Sequence, residues 1–223
     1  MVILRDYFAT EMYDSIFGPS SAEGSIEPIS LDNPPGRATL STASRLKYLY
    51  LAYFSQPKAD RGLYRLLRRS KIRRIVEMGI GTAIRSQRII AVAQRYAADE
   101  IIHFTGIDRF EDRPEKEVGL RYKEAFKLFR KTGAKSQLLP GKPYDALQQF
   151  ANQLTETDLI LISADQDAAS LAAAWFYVPR MLHADSLVFQ ETNADDVRSW
   201  KEVPRLEIER LAAAQKTARR RAA

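Results

Sequence analysis

From Ile72 onward, short runs of Ile, Val, Leu and Phe give way repeatedly to stretches in which apolar residues return every three or four positions. Ile72–Met78 predicts a buried strand, Thr82–Ala98 a helix and Ile102–Ile107 a second strand. Pro114–Lys131 predicts a helix with proline in its first turn, Val118, Tyr122, Ala125 and Phe129 on one stripe, and Gly133 as its stop. Ser136–Leu139 predicts a third strand and Tyr144–Leu154 a helix. Asp158–Ser163 (DLILIS) shows no polar alternation, so the fourth strand is covered on both faces. Ala168–Leu182 predicts a helix that Pro179 kinks or ends, Ser186–Gln190 a fifth strand, and a last helix follows Pro204.

Five strands alternating with helices predict an α/β chain: a Rossmann-like, doubly wound, mainly parallel sheet with helices on both faces. In such sheets ligands sit beyond the carboxyl ends of the strands. Residues 1–40 lack periodicity and are punctuated by Gly18, Pro19, Gly24, Pro28, Pro34, Pro35 and Gly36, which predicts an arm or loop region. Ser41–Phe54 predicts a helix with Leu46, Leu49, Tyr50 and Tyr53 at helical spacing, and a second helix follows Pro57. The chain thus divides into an N-terminal arm and helical extension, 1–70, which is not independent, and a Rossmann-like domain, 71–223.

Composition narrows this picture only modestly. At 223 residues and 45% apolar content the chain can bury a real core, and it contains no cysteine, which excludes disulfides, thiol catalysis and thiolate metal sites. No apolar run is long enough to span a membrane and the start does not read as a signal peptide, which together with the missing cysteines fits a cytoplasmic protein. The net charge of +6 concentrates in Lys58–Arg74 and in the tail KTARRRAA. Without a nucleic-acid motif beside it, that charge reads as solvated surface, so nucleic acid is not the expected partner.

The chemistry gathers where the first strand ends. Glu77, Gly79 and Gly81 form E-x-G-x-G, followed by Thr82, and Asp108 ends the second strand. The glycines let backbone approach a ligand closely, and the helix that follows offers free N–H groups. A carboxylate at Asp108 can accept both hydroxyls of a ribose. A nicotinamide dinucleotide fits poorly: the sixth position is Ile84 instead of glycine, and Asp108 comes about 27 residues beyond Gly81 instead of roughly 20. Glu77 suits an ammonium better than a pyrophosphate. Ribose plus a cationic amino-acid part describes S-adenosylmethionine.

On VEMGIGTAIRS, TGIDRFED, GKPYDALQQF, DLILISADQD and VPRMLHADSLVFQET, the chain resembles the class I S-adenosylmethionine-dependent methyltransferases over about residues 72–192. The flavour is that of small-molecule O-methyltransferases, of the catechol and caffeoyl-coenzyme A type and of the macrocin O-methyltransferase and cephalosporin-hydroxylase type. The resemblance implies strand order 3-2-1-4-5, S-adenosylmethionine as cofactor and a small-molecule acceptor. It puts Glu77, Gly79 and Gly81 along the methionine part, Asp108 by the ribose and Lys142 with Pro143 at the adenine edge, with Thr82, Arg109 and Ser163 as further cofactor-binding residues. Arg85 stands where a small hydroxyl residue is common; it is read either as a partner of the methionine carboxylate or as a solvated helix residue.

The chain also departs from that pattern. Ser163 replaces an aspartate that serves the metal-dependent members, so no metal is expected. Only some 30 residues follow the fifth strand, so the C-terminal antiparallel strands are expected to be reduced or absent. His103 and His183 lie at amino ends of strands, away from the expected site, which leaves Asp165, Asp167 and Glu191 as catalytic candidates; Asp165 and Asp167 read equally well as helix caps. Three functions stay open: a methyltransferase acting on a small molecule, a catalytically degenerate binding or scaffold module of the same fold, and a nucleic-acid methyltransferase or binder. A homodimer is compatible with each.

Overall fold

The computed structural model describes residues 42–97, 100–114, 117–194 and 197–222. The arm expected over residues 1–40 lies outside them. The elements are α1 (Thr42–Tyr53), α2 (Arg61–Arg69), β1 (Arg74–Met78), α3 (Ile84–Tyr96), β2 (His103–Asp108), α4 (Tyr122–Arg130), β3 (Lys135–Pro140), α5 (Pro143–Phe150), β4 (Thr157–Ile162), α6 (Ala168–Ala174), β5 (Leu182–Ala194), β6 (Val197–Glu202) and α7 (Arg205–Ala222). The sheet runs β3-β2-β1-β4-β5-β6. Its first five strands are parallel, and β6 returns antiparallel to β5. The expected Rossmann-like order is present, and the antiparallel part is reduced to that one strand.

Strand parity explains the two layers. Successive side chains of a strand point to opposite faces. Ile75 of β1 with Leu159 and Leu161 of β4 joins one buried cluster, covered by Tyr48, Leu51, Leu63 and Leu67 of α1 and α2, Ile89 and Ile90 of α3, and Phe129 of α4. Val76 and Met78 with Ile160 and Ile162 join the other, covered by Leu147 of α5, Leu171 of α6 and Ile208 of α7. Each fully buried aliphatic side chain of this kind contributes about 1.5–3 kcal/mol.

Several local expectations are corrected. The helix expected from Pro114 begins at Tyr122: Glu124 accepts the N–H of Arg121 at 3.0 Å and marks the start, while Val118 is 81% exposed. The preceding loop turns back to the glycine turn, where Leu120 N–H donates to Gly81 O at 3.0 Å. In α1 the stripe Leu46, Leu49, Tyr50 and Tyr53 is the exposed side, and Tyr48, Leu51 and Ala52 are buried instead. The helix expected over Ala168–Leu182 stops at Ala174, and Pro179 sits in a separate short turn. β5 is longer than Ser186–Gln190 because Leu182 already pairs with Thr157, before a register shift ahead of Leu159, and because β6 extends its pairing to Ala194.

Candidate functional site

The glycine turn joins the carboxyl end of β1 to α3. Gly79 (φ +87) and Gly81 (φ +53) both take left-handed backbone, as does Ala83 (φ +59) at the cap of α3. Glycine holds such angles without the Cβ clash that other residues suffer. A Cβ on Gly81 would meet open space, whereas one on Gly79 would strike Gln166 Nε2 and come within 2.8 Å of Ser163 Cβ. The turn is therefore open at Gly81 and roofed at Gly79 by the segment after β4.

Glu77 and Asp108 converge on this turn from adjacent strands. Asp108 Oδ2 accepts Gly81 N–H at 2.9 Å, and Oδ1 accepts Phe110 N–H at 3.3 Å and a bond from Arg113 Nη2. Glu77 is completely buried. Its Oε1 accepts Arg85 Nε at 2.7 Å, and its Oε2 has no hydrogen-bond partner. Burial pushes the Glu77 carboxyl above its ordinary range, against the pull of Arg85.

Arg85, in the first turn of α3, is the hub. Its Nη2 donates to Gly79 O at 3.0 Å and its Nη1 reaches Glu191 Oε2 at 3.5 Å. The guanidinium lies over the Trp200 ring, 4.9 Å from the centroid, and the side chain is 14% exposed. Burial works against its charge, but Glu77, Asp60 and Glu191 outweigh burial and hold its pKa above the ordinary arginine value. Glu191 Oε2 also accepts Ser163 Oγ at 3.0 Å and Ala164 N–H at 3.3 Å. Asp60, just before α2, accepts Trp200 Nε1 at 3.0 Å, and burial raises its pKa while Trp200 and Arg85 lower it. Three carboxyl groups thus surround one guanidinium at the carboxyl ends of β1 and β4, level with Glu191 in β5.

The other predicted residues spread around this centre. Thr82 is exposed at the turn. Arg109 pairs with Glu117, and Lys142 Nζ lies 3.6 Å from Asp167 Oδ2. Pro143 is buried as the first residue of α5. Asp165 is exposed, with Oδ1 accepting from Gln166 Nε2 at 2.8 Å. Asp167 caps α6 by accepting Ser170 N–H at 2.7 Å; that bond, with Lys142 nearby, holds its pKa below the ordinary range. Sequence reasoning does not reach Asp60, Trp200 or Arg113. Arg113 could have been suspected from its nearness to Asp108; Asp60 and Trp200 lie 140 residues apart, and no local pattern links them.

The amino ends of the strands carry a different cluster. His183 Nε2 lies 3.0 Å from Asp158 Oδ1, while Asp158 Oδ2 accepts the N–H groups of Arg73 and Arg74 at 2.8 and 2.7 Å. Asp185 N–H donates to His183 Nδ1 at 3.2 Å, which assigns the proton to Nε2. A cavity of about 430 Å³ there is lined by Lys71, Arg73, Asp158 and His183 among others. His103 opens β2, and burial followed by Lys135 and Arg74 lowers its pKa. Among the described residues no helix is long and apolar enough to cross a membrane, and no group of three or more His, Cys, Asp or Glu is arranged to hold a metal ion.

The chain matches no family model and no curated protein. Among solved structures it is similar to an O-methyltransferase family protein from Burkholderia thailandensis, at 12% identity and a TM-score of 0.40, over 69% of this chain and 43% of that one. It is also similar to cofactor-bound Rv0187 from MTB, at 13% identity and a TM-score of 0.43, over 84% of this chain and 85% of that one. The chain spans less than half the length of the first of these proteins.

Proposed function

We propose that the chain is an S-adenosylmethionine-dependent methyltransferase acting on a small molecule. One observation carries the reading: Glu77 and Asp108, from adjacent parallel strands, meet at a left-handed glycine turn whose Gly81 side is open. The backbone of the turn suits a nucleoside, with Gly81 open to the ligand and Glu77 buried beneath the turn. S-adenosylmethionine supplies a sulfonium methyl group. The protein's task is alignment of acceptor and methyl, with little acid–base work. Gly79, Gly81 and Thr82 would hold the tail, Asp108 and Arg109 the ribose, and Lys142 and Pro143 the adenine edge. Asp165 is the candidate most open to an acceptor, because Glu191 is buried among Ser163, Ala164 and Arg85 and Asp167 caps a helix.

Titration calorimetry with S-adenosylhomocysteine tests the reading. Saturable binding at or below millimolar ligand, lost in D108N, is expected; no binding at millimolar ligand would overturn it. A specific pair of contacts favours a second reading, a binding module without turnover: Arg85 and Arg113 already occupy Glu77 and Asp108. Ligand binding with no methyl transfer across phenols, sugars and amines would select it.

A further inference from the structure

We propose that Arg85 is an internal competitor for the cationic end of a ligand at the glycine turn, so that this site prefers adenine nucleosides lacking an ammonium, such as 5′-methylthioadenosine, over S-adenosylhomocysteine. The inference rests on the nucleoside reading above and sharpens it.

A ligand ammonium at this turn needs carboxylate or carbonyl oxygens. The acceptors beside Arg85 are Glu77 Oε1 and the Gly79 carbonyl, and both already receive its guanidinium, at 2.7 and 3.0 Å. Glu191 Oε2, the next carboxylate oxygen, receives Arg85 Nη1 together with Ser163 and Ala164. The two remaining oxygens, Glu77 Oε2 and Glu191 Oε1, carry no hydrogen bond but are sealed from solvent, and Arg198 Nη1 lies 3.9 Å from the second. An ammonium must therefore displace the arginine before it is satisfied. Displacement is disfavoured because the competitor is tethered in the first turn of α3, at a high effective concentration, and is held over the Trp200 ring. An unpaired cation left in a desolvated site is costly.

An anionic tail gains nothing in exchange. The Arg85 guanidinium is already engaged by Glu77, Glu191 and the Gly79 carbonyl, so it has no free face to offer an anion. What the turn accepts without rearrangement is a neutral 5′ substituent lying over Gly81, where the space is open. Glu77 and Gly79, the residues that suit a methionine ammonium, are here spent on the protein's own cation.

The test is calorimetric titration of the full chain and of R85S with 5′-methylthioadenosine and S-adenosylhomocysteine. The wild-type chain is expected to bind 5′-methylthioadenosine at least as tightly as S-adenosylhomocysteine. R85S is expected to gain about tenfold or more for S-adenosylhomocysteine while its affinity for 5′-methylthioadenosine moves less than about threefold. R85K, which keeps the charge and loses the fork geometry, should fall between them. S-adenosylhomocysteine binding the wild type more tightly than 5′-methylthioadenosine overturns the inference, as does R85S weakening S-adenosylhomocysteine. If R85S fails to fold by circular dichroism, the wild-type ratio alone decides. Absence of binding by both ligands to the wild type removes the nucleoside reading itself, a failure distinct from a reversed preference.

Discussion

The two ends of the parallel sheet spend their charges differently. At the amino end, Asp158 bonds the start of β1 and His183, and Arg73 pairs with Glu100 on half-exposed side chains. These contacts join strand starts to one another in reach of water. At the carboxyl end, Glu77, Asp60 and Glu191 are buried around Arg85. Buried ion groups stabilise little or nothing relative to a well-packed apolar core, so their presence in a fold with ample Ile and Leu asks for another reason. The contrast teaches that polarity at the amino end is explained by the fold alone, and polarity at the carboxyl end is not.

The sharpest way to break this comparison is R85A. It leaves three carboxylates buried without their cation and should destabilise the chain by about 3–5 kcal/mol in urea unfolding. A cost near that of a surface residue would mean that the hub is solvated in solution. D158A should cost less, about 1–2 kcal/mol, because it removes an acceptor for two backbone N–H groups near solvent.

The ends should also differ in the sign of their pH dependence. Glu77 and Asp60 have folded pKa values raised above 4.5 and 3.8, so the native state binds protons more readily there. Their contribution is full below those values and is lost as pH rises through the raised ones. His103 is lowered from 6.5, so its contribution is present above 6.5 and is lost as pH falls toward its folded value. In urea unfolding at stepped pH, D60N should flatten the loss on the rising side, and H103Q the loss on the falling side. Identical profiles for D60N and wild type would contradict the burial of Asp60. The smallest effect is expected from E100A, with no resolvable shift in the denaturation midpoint, since its partner is in water.

The sheet is legible in the sequence because its signals are local. Continuous apolar runs such as Leu159, Ile160, Leu161 and Ile162 in β4, and glycines followed by helical spacing after β1, carry their structure with them. The helix before Gly133 reads too long because Val118 and Tyr122 fall at helical spacing, although the loop holding Val118 returns its backbone to Gly81. In α1 several apolar stripes overlap, and only packing against α2 and α3 selects Tyr48 and Leu51. At the site, Glu77, the glycines and Asp108 stand out because strand ends are predictable. The fate of their oxygens does not, because it depends on which arginine reaches them. Asp60 stands among basic residues with no local signal of burial, and its partner Trp200 comes from β6, 140 residues away.

The Asp60–Trp200 bond has a temporal consequence. Ribosomal synthesis delivers the glycine turn and both acidic strand ends well before it delivers the indole that roofs Arg85. Glu191 and Trp200, on β5 and β6, are the last parts of the centre to be made, and both reach Arg85. The ring of charges is thus closed by a contact spanning 140 residues, whose loop-closure entropy is the largest within the centre.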